Sequence, residues 1–258
     1  MEREGEWLLK EKYNGEKTAG FFTDLKRLVS GEPVGYVIGH IPFLDCRIYL
    51  DSHPLIPRPE TEFWVEKAIE AIKEAAGSMD RPLRILDLCA GSGAIGVAVA
   101  KAIPSAEVTF ADIDHAHSLT ILKNLSFNLP DYSNRMEYFN VVESDLFSNI
   151  EGKFDFILTN PPYIDPALDR TEASVKNFEP HLALYGGDNG MELIERIIAA
   201  APEYISDNGQ LWIEHEPEQS ELISKQASDR SCLPAGRSMP AHTFPDQYGA
   251  QRYSVLNL

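Results

Sequence analysis

Cysteine is scarce in this 258-residue chain: Cys46, Cys89 and Cys232 stand far apart, without metal-ligand spacing. An odd, sparse count excludes a disulfide framework and a zinc site, and it fits a reducing compartment. Long apolar runs are also missing. The uncharged run Leu88 to Ala100 is only thirteen residues and glycine-rich, whereas a membrane span needs about 20 apolar residues. The first residues, Met1-Glu2-Arg3-Glu4-Gly5-Glu6, are acidic where a signal peptide needs an apolar core, so a cytoplasmic protein is expected. Basic charge is the third shortage. Against 40 Asp and Glu stand 23 Lys and Arg, a formal charge of −17. Such a surface repels phosphate backbones and anionic lipid, which speaks against stable binding of nucleic acid or membranes.

What is present is an ordinary globular balance, 43% apolar and 24% charged. That is enough for one sizeable core at a length that suits one large domain with a small appendage. Residues 1–31 carry six acidic and six basic side chains, so the whole −17 lies in residues 32–258. Within 1–31, Phe21, Phe22, Leu25, Leu28 and Val29 recur at helical spacing after Thr18 and stop at Gly31, which predicts one amphipathic helix. Residues 32–60, with Gly35, Gly39, Pro42, Pro54, Pro57 and Pro59, predict a hairpin or extended connector. A helix should begin at Thr61 and run to Gly77.

From there to the end, 61–258, the patterns alternate. Short apolar runs at 84–88, 108–111, 138–142, 154–158 and 210–214 read as strands, with helices through 94–104, 115–128 and 190–201. A final strand is expected at 253–256, after a Ser-, Pro- and Gly-rich loop over 224–240. Such alternation predicts an α/β, Rossmann-like, doubly wound parallel sheet, with ligands beyond the carboxyl ends of its strands.

Chemistry-bearing residues cluster at those ends. After the first strand comes Asp87-Leu88-Cys89-Ala90-Gly91-Ser92-Gly93-Ala94-Ile95-Gly96, and Asp112 closes the next strand. Glycines at a strand-to-helix turn let a ligand approach the backbone, and an acid about twenty residues on suits ribose hydroxyls. The spacing also fits a dinucleotide fingerprint. The loop lacks the lysine of a P-loop, however, and Asp87 suits a cationic ligand such as S-adenosyl-L-methionine. The fourth strand runs into Asn160-Pro161-Pro162-Tyr163. Two prolines remove two backbone donors and hold the neighbouring carbonyls in place. Asn160 adds a side-chain acceptor, so a planar NH₂ group could be held there by both its hydrogens. Glu214-His215-Glu216-Pro217-Glu218 reads as a solvated acidic loop, since no companion ligands make it a metal site.

Asn160 to Tyr163, the loop Asp87 to Gly93, Ile56-Pro57-Arg58-Pro59-Glu60-Thr61-Glu62 and Leu182-Ala183-Leu184-Tyr185-Gly186-Gly187 together resemble the HemK/PrmC protein-glutamine methyltransferases. The resemblance implies the class I S-adenosylmethionine-dependent methyltransferase fold. It also implies methylation of the glutamine amide in the Gly-Gly-Gln motif of peptide chain release factors, by a monomer. By position, Cys89, Ala90, Gly91, Ser92 and Gly93 would line the methionine part of S-adenosyl-L-methionine, Asp112 the ribose, and Asp145 and Leu146 the adenine. Asn160, Pro161, Pro162 and Tyr163 would grip the substrate amide, with Tyr163 against the transferring methyl. No metal site is implied.

Four features depart from the family: Cys89 stands where it has Gly, Ala90 where it has Thr, the acidic Glu214 to Gln219 where it has a Gly- and Tyr-rich stretch, and residues 1–31 are a shortened amino-terminal recognition segment. Two other functions share these motifs, an amino methyltransferase of nucleic-acid bases and a non-catalytic adaptor that binds a translation factor.

Overall fold

The computed structural model describes residues 2–168, 170–229 and 239–258. The chain opens with α1 (Glu2–Tyr13), α2 (Ala19–Val29) and the short α3 (Val34–Ile38). Thr18 caps α2 by accepting from the Phe21 amide at 3.2 Å, as its position before the apolar spacing predicts. Leu8, Phe21, Leu28, Val37 and Ile38 form a small core of their own. One helix was expected where three stand. Helix α1 offers only Trp7, Leu8 and Leu9 as an apolar stripe among charges, too thin a periodicity to read. Helix α3 falls inside the segment expected to be extended.

Strands β1 (His40–Phe43) and β2 (Cys46–Tyr49) make the expected hairpin. Helix α4 (Pro59–Ala76) starts with proline in its first turn, and Arg58 before it is extended, as a residue preceding proline must be. Its inward face carries Thr61, Trp64, Val65, Ala68, Ile69 and Ile72.

The central sheet contains β3 (Arg84–Leu88), β4 (Glu107–Asp112), β5 (Phe139–Glu143), β6 (Phe154–Thr159), β7 (Ile205–Glu214), β8 (Ala241–Pro245) and β9 (Gln251–Asn257). Their order across the sheet is β5-β4-β3-β6-β7-β9-β8. The first five are parallel, and β9 runs antiparallel to both its neighbours. Between them lie α5 (Ala94–Ala102), α6 (His117–Asn128), α7 (Ala173–Phe178), α8 (Glu192–Tyr204) and α9 (Ser220–Ser228).

Successive strand residues face opposite sides. Ile85 joins Trp64, Val97, Phe110 and Ile121 in one core layer, and Leu86 and Leu88 join Ile157, Ile194, Ile198 and Ile213 in the other. The chain winds outward through β4 and β5, then returns to β6 beside β3. That reversal opens a crevice at the carboxyl ends of β3 and β6, where ligands bind in such sheets.

Two anchors shape the crevice. Buried Asn124 and Asn128 of α6 accept from the Tyr49 and Arg47 amides at 2.8 and 2.9 Å, so side-chain amides satisfy the free edge of the hairpin. Asn124 also donates to the Ser92 carbonyl at 2.9 Å, tying hairpin and glycine loop to one helix. On the other side, Trp64 stacks with Trp212 and Tyr253, which brings the start of α4 over the end of β7.

Part of the loop expected over 224–240 is helical, since α9 extends to Ser228, and β8 was not anticipated. Residues 230–238, Cys232 included, lie outside the described residues. Among the described residues, no helix is long and apolar enough to cross a membrane.

Candidate active site

The loop after β3 is built on left-handed backbone. Gly91 and Gly93 have φ of 52° and 76°, and Cys89, which has a Cβ, has φ of 60°. The turn is closed by hydrogen bonds from Gly93 N to the Ala90 carbonyl (2.7 Å) and from Ala90 N to the Ala111 carbonyl (3.0 Å). Gly91 N donates to Asp112 Oδ2 at 2.7 Å, and Asp112 Oδ1 accepts from Asp114 N at 2.9 Å.

Beneath the loop, fully buried Asp87 accepts from Gly96 N at 2.8 Å through Oδ2. Its Oδ1 is buried without a partner. A Cβ at Gly96 would lie 2.3 Å from the Phe110 ring and 3.0 Å from Asp87 Oδ2, so only glycine leaves room for this carboxylate. Burial pushes the Asp87 carboxyl well above the usual range; the Gly96 N–H opposes this and the charge of Asp112 adds to it. Burial likewise raises the Cys89 thiol to about 12, with Asp112 adding to the effect. Cys89 is therefore a protonated thiol near neutral pH and not a nucleophile.

A cleft of about 300 Å³ opens above this loop. Of the residues that the sequence singles out, Cys89, Gly91, Asp112, Asp145, Leu146, Asn160 and Pro162 line it. Ala90 and Ser92 do not; they are buried, and with Gly93 they shape the turn from below. Leu55, His117, Leu182, Ala183 and Arg196 also line the cleft. Arg196 bonds both oxygens of Asp145 at 2.9 Å. His117 is fixed by a 2.9 Å contact from its Nδ1 to Ser52 Oγ.

A second cleft of about 340 Å³ meets the first at Asn160. Pro161, Tyr163, Arg58 and Glu216 line it. Tyr163 lines the second cleft and is not among the residues lining the first. The backbone here is held closely. Gln219 Nε2 donates to the Tyr163 carbonyl at 2.8 Å, and a Cβ on Gly190 would sit 1.9 Å from that carbonyl oxygen.

At its start, the acidic stretch Glu214 to Glu218 is not the solvated loop expected from the sequence, although Glu216 is half-buried and Glu218 exposed. Glu214 and His215 are buried. Glu214 Oε2 accepts from Thr61 Oγ1 and Trp64 Nε1, both at 2.7 Å, and Oε1 accepts from Tyr163 OH at 3.0 Å. Thr61 Oγ1 in turn accepts from Asn160 Nδ2 at 3.2 Å. Burial raises the Glu214 carboxyl, while the bonds from Trp64, Thr61 and Tyr163 and the nearby Arg252 pull it back. Thr61 and Glu214 escape a sequence reading because their partners lie 153 residues apart.

His215 Nδ1 faces the Glu216 carbonyl and therefore donates, leaving Nε2 to accept from Ser254 Oγ, with both contacts at 2.8 Å. Burial lowers its pKa to about 4. Among the described residues, no group of His, Cys, Asp and Glu is placed to hold a metal.

A family model described as Methyltransferase small domain matches residues 70–179. The chain is 38% identical over 242 residues to the release factor glutamine methyltransferase of Rhodopirellula baltica, covering 92% of this chain and 77% of that one. It is 32% identical over 252 residues to the protein of the same name from Streptococcus pneumoniae, covering 96% and 84%. Among solved structures, it resembles the T. thermophilus 16S rRNA N2 G1207 methyltransferase in complex with AdoMet and guanosine. That likeness, with a TM-score of 0.52 at 18% identity over 84% of this chain and 49% of that one, is one of fold.

Proposed function

The chain belongs to the release factor glutamine methyltransferases, and on that premise we propose that it methylates the glutamine side-chain amide in the Gly-Gly-Gln motif of a peptide chain release factor, using S-adenosyl-L-methionine. On this reading it works in the cytoplasm as a single chain. The observation that carries it is the position of Asn160, which lines both clefts together with Leu55 and Ala183 and is the one of the three with a side-chain hydrogen-bond acceptor. An amide held there has cofactor on one side and protein substrate on the other.

The residues of the first cleft fit the cofactor. Asp112 and Asp114 bring carboxylates to its lining, and Asp145 a third that Arg196 already pairs, a lining suited to a cation, while the buried Asp87 Oδ1 lies unpartnered under its loop. S-adenosyl-L-methionine supplies a methyl group on positively charged sulfur. Cys89 and Gly91 of the loop would hold its methionine end, on a turn that Ala90, Ser92 and Gly93 shape, with Asp112 at the ribose and Asp145 and Leu146 at the adenine.

In the second cleft, Asn160 Oδ1 and the Pro161 carbonyl accept the two amide hydrogens of the glutamine, which aims the nitrogen at the first cleft. A carboxamide nitrogen is a poor nucleophile because its lone pair is delocalised. Orientation therefore supplies most of the acceleration, and near-attack alignment is worth on the order of 7–11 kcal/mol at best. As the nitrogen gains positive charge, the same two acceptors stabilise it, and the proton it then sheds passes to water in the open cleft.

Asn160→Ala tests the assignment. Turnover should fall by about 100-fold or more, while cofactor affinity measured by calorimetry changes little. Equal turnover in the variant would refute the role of Asn160.

A further inference from the structure

A threonine hydroxyl has one hydrogen to give and lone pairs to receive. In Thr61 the hydrogen is committed. Glu214 Oε2 already accepts from the Trp64 indole N–H and Oε1 from the Tyr163 hydroxyl, so both oxygens act as acceptors and the 2.7 Å contact with Oε2 is donated by Thr61. Thr61 is then left as an acceptor, and the group facing it is Asn160 Nδ2 at 3.2 Å. The carboxylate cannot swing away from this task. Trp64, an obligate donor, takes the same oxygen at 2.7 Å, and Tyr163 OH takes the other at 3.0 Å. Thr61, Trp64 and Glu214 are all buried, so water does not compete.

The two flipped forms of an asparagine amide have almost the same shape and opposite polarity. With Nδ2 turned to Thr61, Oδ1 is the polar atom that Asn160, which lines both clefts, has left to accept a hydrogen from the substrate amide. In the flipped form Nδ2 would meet the substrate NH₂, donor against donor. We propose that Glu214, acting through the Thr61 hydroxyl, is the positioning residue that fixes the Asn160 side-chain amide with its oxygen toward the substrate nitrogen. This rests on a glutamine amide being the methyl acceptor. It gives the Pro-Arg-Pro-Glu-Thr segment a chemical task, because its threonine carries the relay from the end of β7 to the end of β6.

Thr61→Val and Thr61→Ser separate polarity from packing. Valine keeps the shape and removes the hydroxyl, while Trp64 and Tyr163 still hold Glu214. Turnover of Thr61→Val should fall by about 100-fold, the penalty for a misdirected group, with the cofactor dissociation constant within about twofold of wild type. Thr61→Ser should recover turnover to within roughly threefold of wild type, because its hydroxyl has the same donor and acceptor capacity. Wild-type turnover in Thr61→Val, or equal impairment in both variants, would overturn the proposal.

A second readout needs no substrate. The Asn160 side-chain amide resonances, assigned by their loss in Asn160→Asp, should shift in Thr61→Val and return in Thr61→Ser; unchanged resonances in Thr61→Val would also overturn the proposal. Absence of methyl transfer by the wild type to any glutamine would instead count against the proposed function, while the resonances still decide the Asn160 orientation.

Discussion

Arg58 Nη2 pairs with Glu179 Oε1 at 2.6 Å, joining two segments that flank the second cleft and lie 121 residues apart in sequence. The Glu179 side chain is almost wholly buried, and its second oxygen accepts from Ile56 N at 3.0 Å. Arg58→Ala would leave that buried carboxylate with one backbone donor. Breaking a buried pair costs about 3–5 kcal/mol, and the partial exposure of Arg58 reduces this to roughly 2 kcal/mol. Urea unfolding should show that loss, and Glu179→Gln, which keeps an acceptor for Ile56, should lose less than half as much. A change under about 0.5 kcal/mol in Arg58→Ala would show that the pair holds nothing.

Cys89 carries a side chain at φ of 60°, a conformation that costs an L-residue roughly 1–2 kcal/mol. Glycine removes that strain but brings an entropy cost of about 0.5–1 kcal/mol. Cys89→Gly should therefore unfold at the same urea concentration as wild type or a higher one, with a gain of up to about 1 kcal/mol. Cys46→Gly, in β2 at ordinary strand geometry, should lose more than about 1 kcal/mol. Equal losses at both positions would contradict the strain at Cys89.

His215 is neutral in the fold, with its pKa lowered to about 4 by burial, against about 6.5 in an unfolded chain. The unfolded state therefore binds more protons between these values, so stability falls as pH drops from about 6.5 toward 4 and is fully present above 6.5. At roughly 1.4 kcal/mol per pH unit, the loss attributable to His215 reaches as much as about 3 kcal/mol. His215→Gln should have a flatter acid limb in urea titrations across that window. Identical slopes would show that His215 is not the group responsible.

Asp87 acts in the opposite sense. Its folded carboxyl is raised well above the ordinary value by burial, partly offset by the Gly96 N–H. The native state thus holds its proton more tightly, and stability falls as pH rises from the ordinary carboxylate range through the folded pKa. Asp87→Asn lacks this loss while keeping an acceptor for Gly96 N. In the cofactor-free protein, the stability of Asp87→Asn relative to wild type should increase with pH. A difference that does not vary with pH would contradict an ionisable Asp87 under the loop.

What was legible in the sequence was local. The glycine loop, Asp112 and Asn160 to Tyr163 announce themselves because strand, turn and motif are contiguous, and alternating apolar runs suffice to predict the parallel sheet. Helix α1 was not legible, because a narrow stripe beside many charges carries little periodicity. Glu214 and His215 read as solvated because acids usually are; their burial depends on Thr61, Trp64 and Ser254, brought in by α4 and β9. The bond from Tyr163 OH to Glu214 escapes a sequence reading for the same reason, since the two residues lie 51 apart.

The most direct test is to incubate the protein with isotopically labelled S-adenosyl-L-methionine and a peptide chain release factor, then measure the mass of the Gly-Gly-Gln peptide. The account predicts a gain of one methylene, carrying the label, on the glutamine side chain, and its loss in Asn160→Ala. An unmodified Gly-Gly-Gln peptide together with label on RNA or on another protein would contradict it.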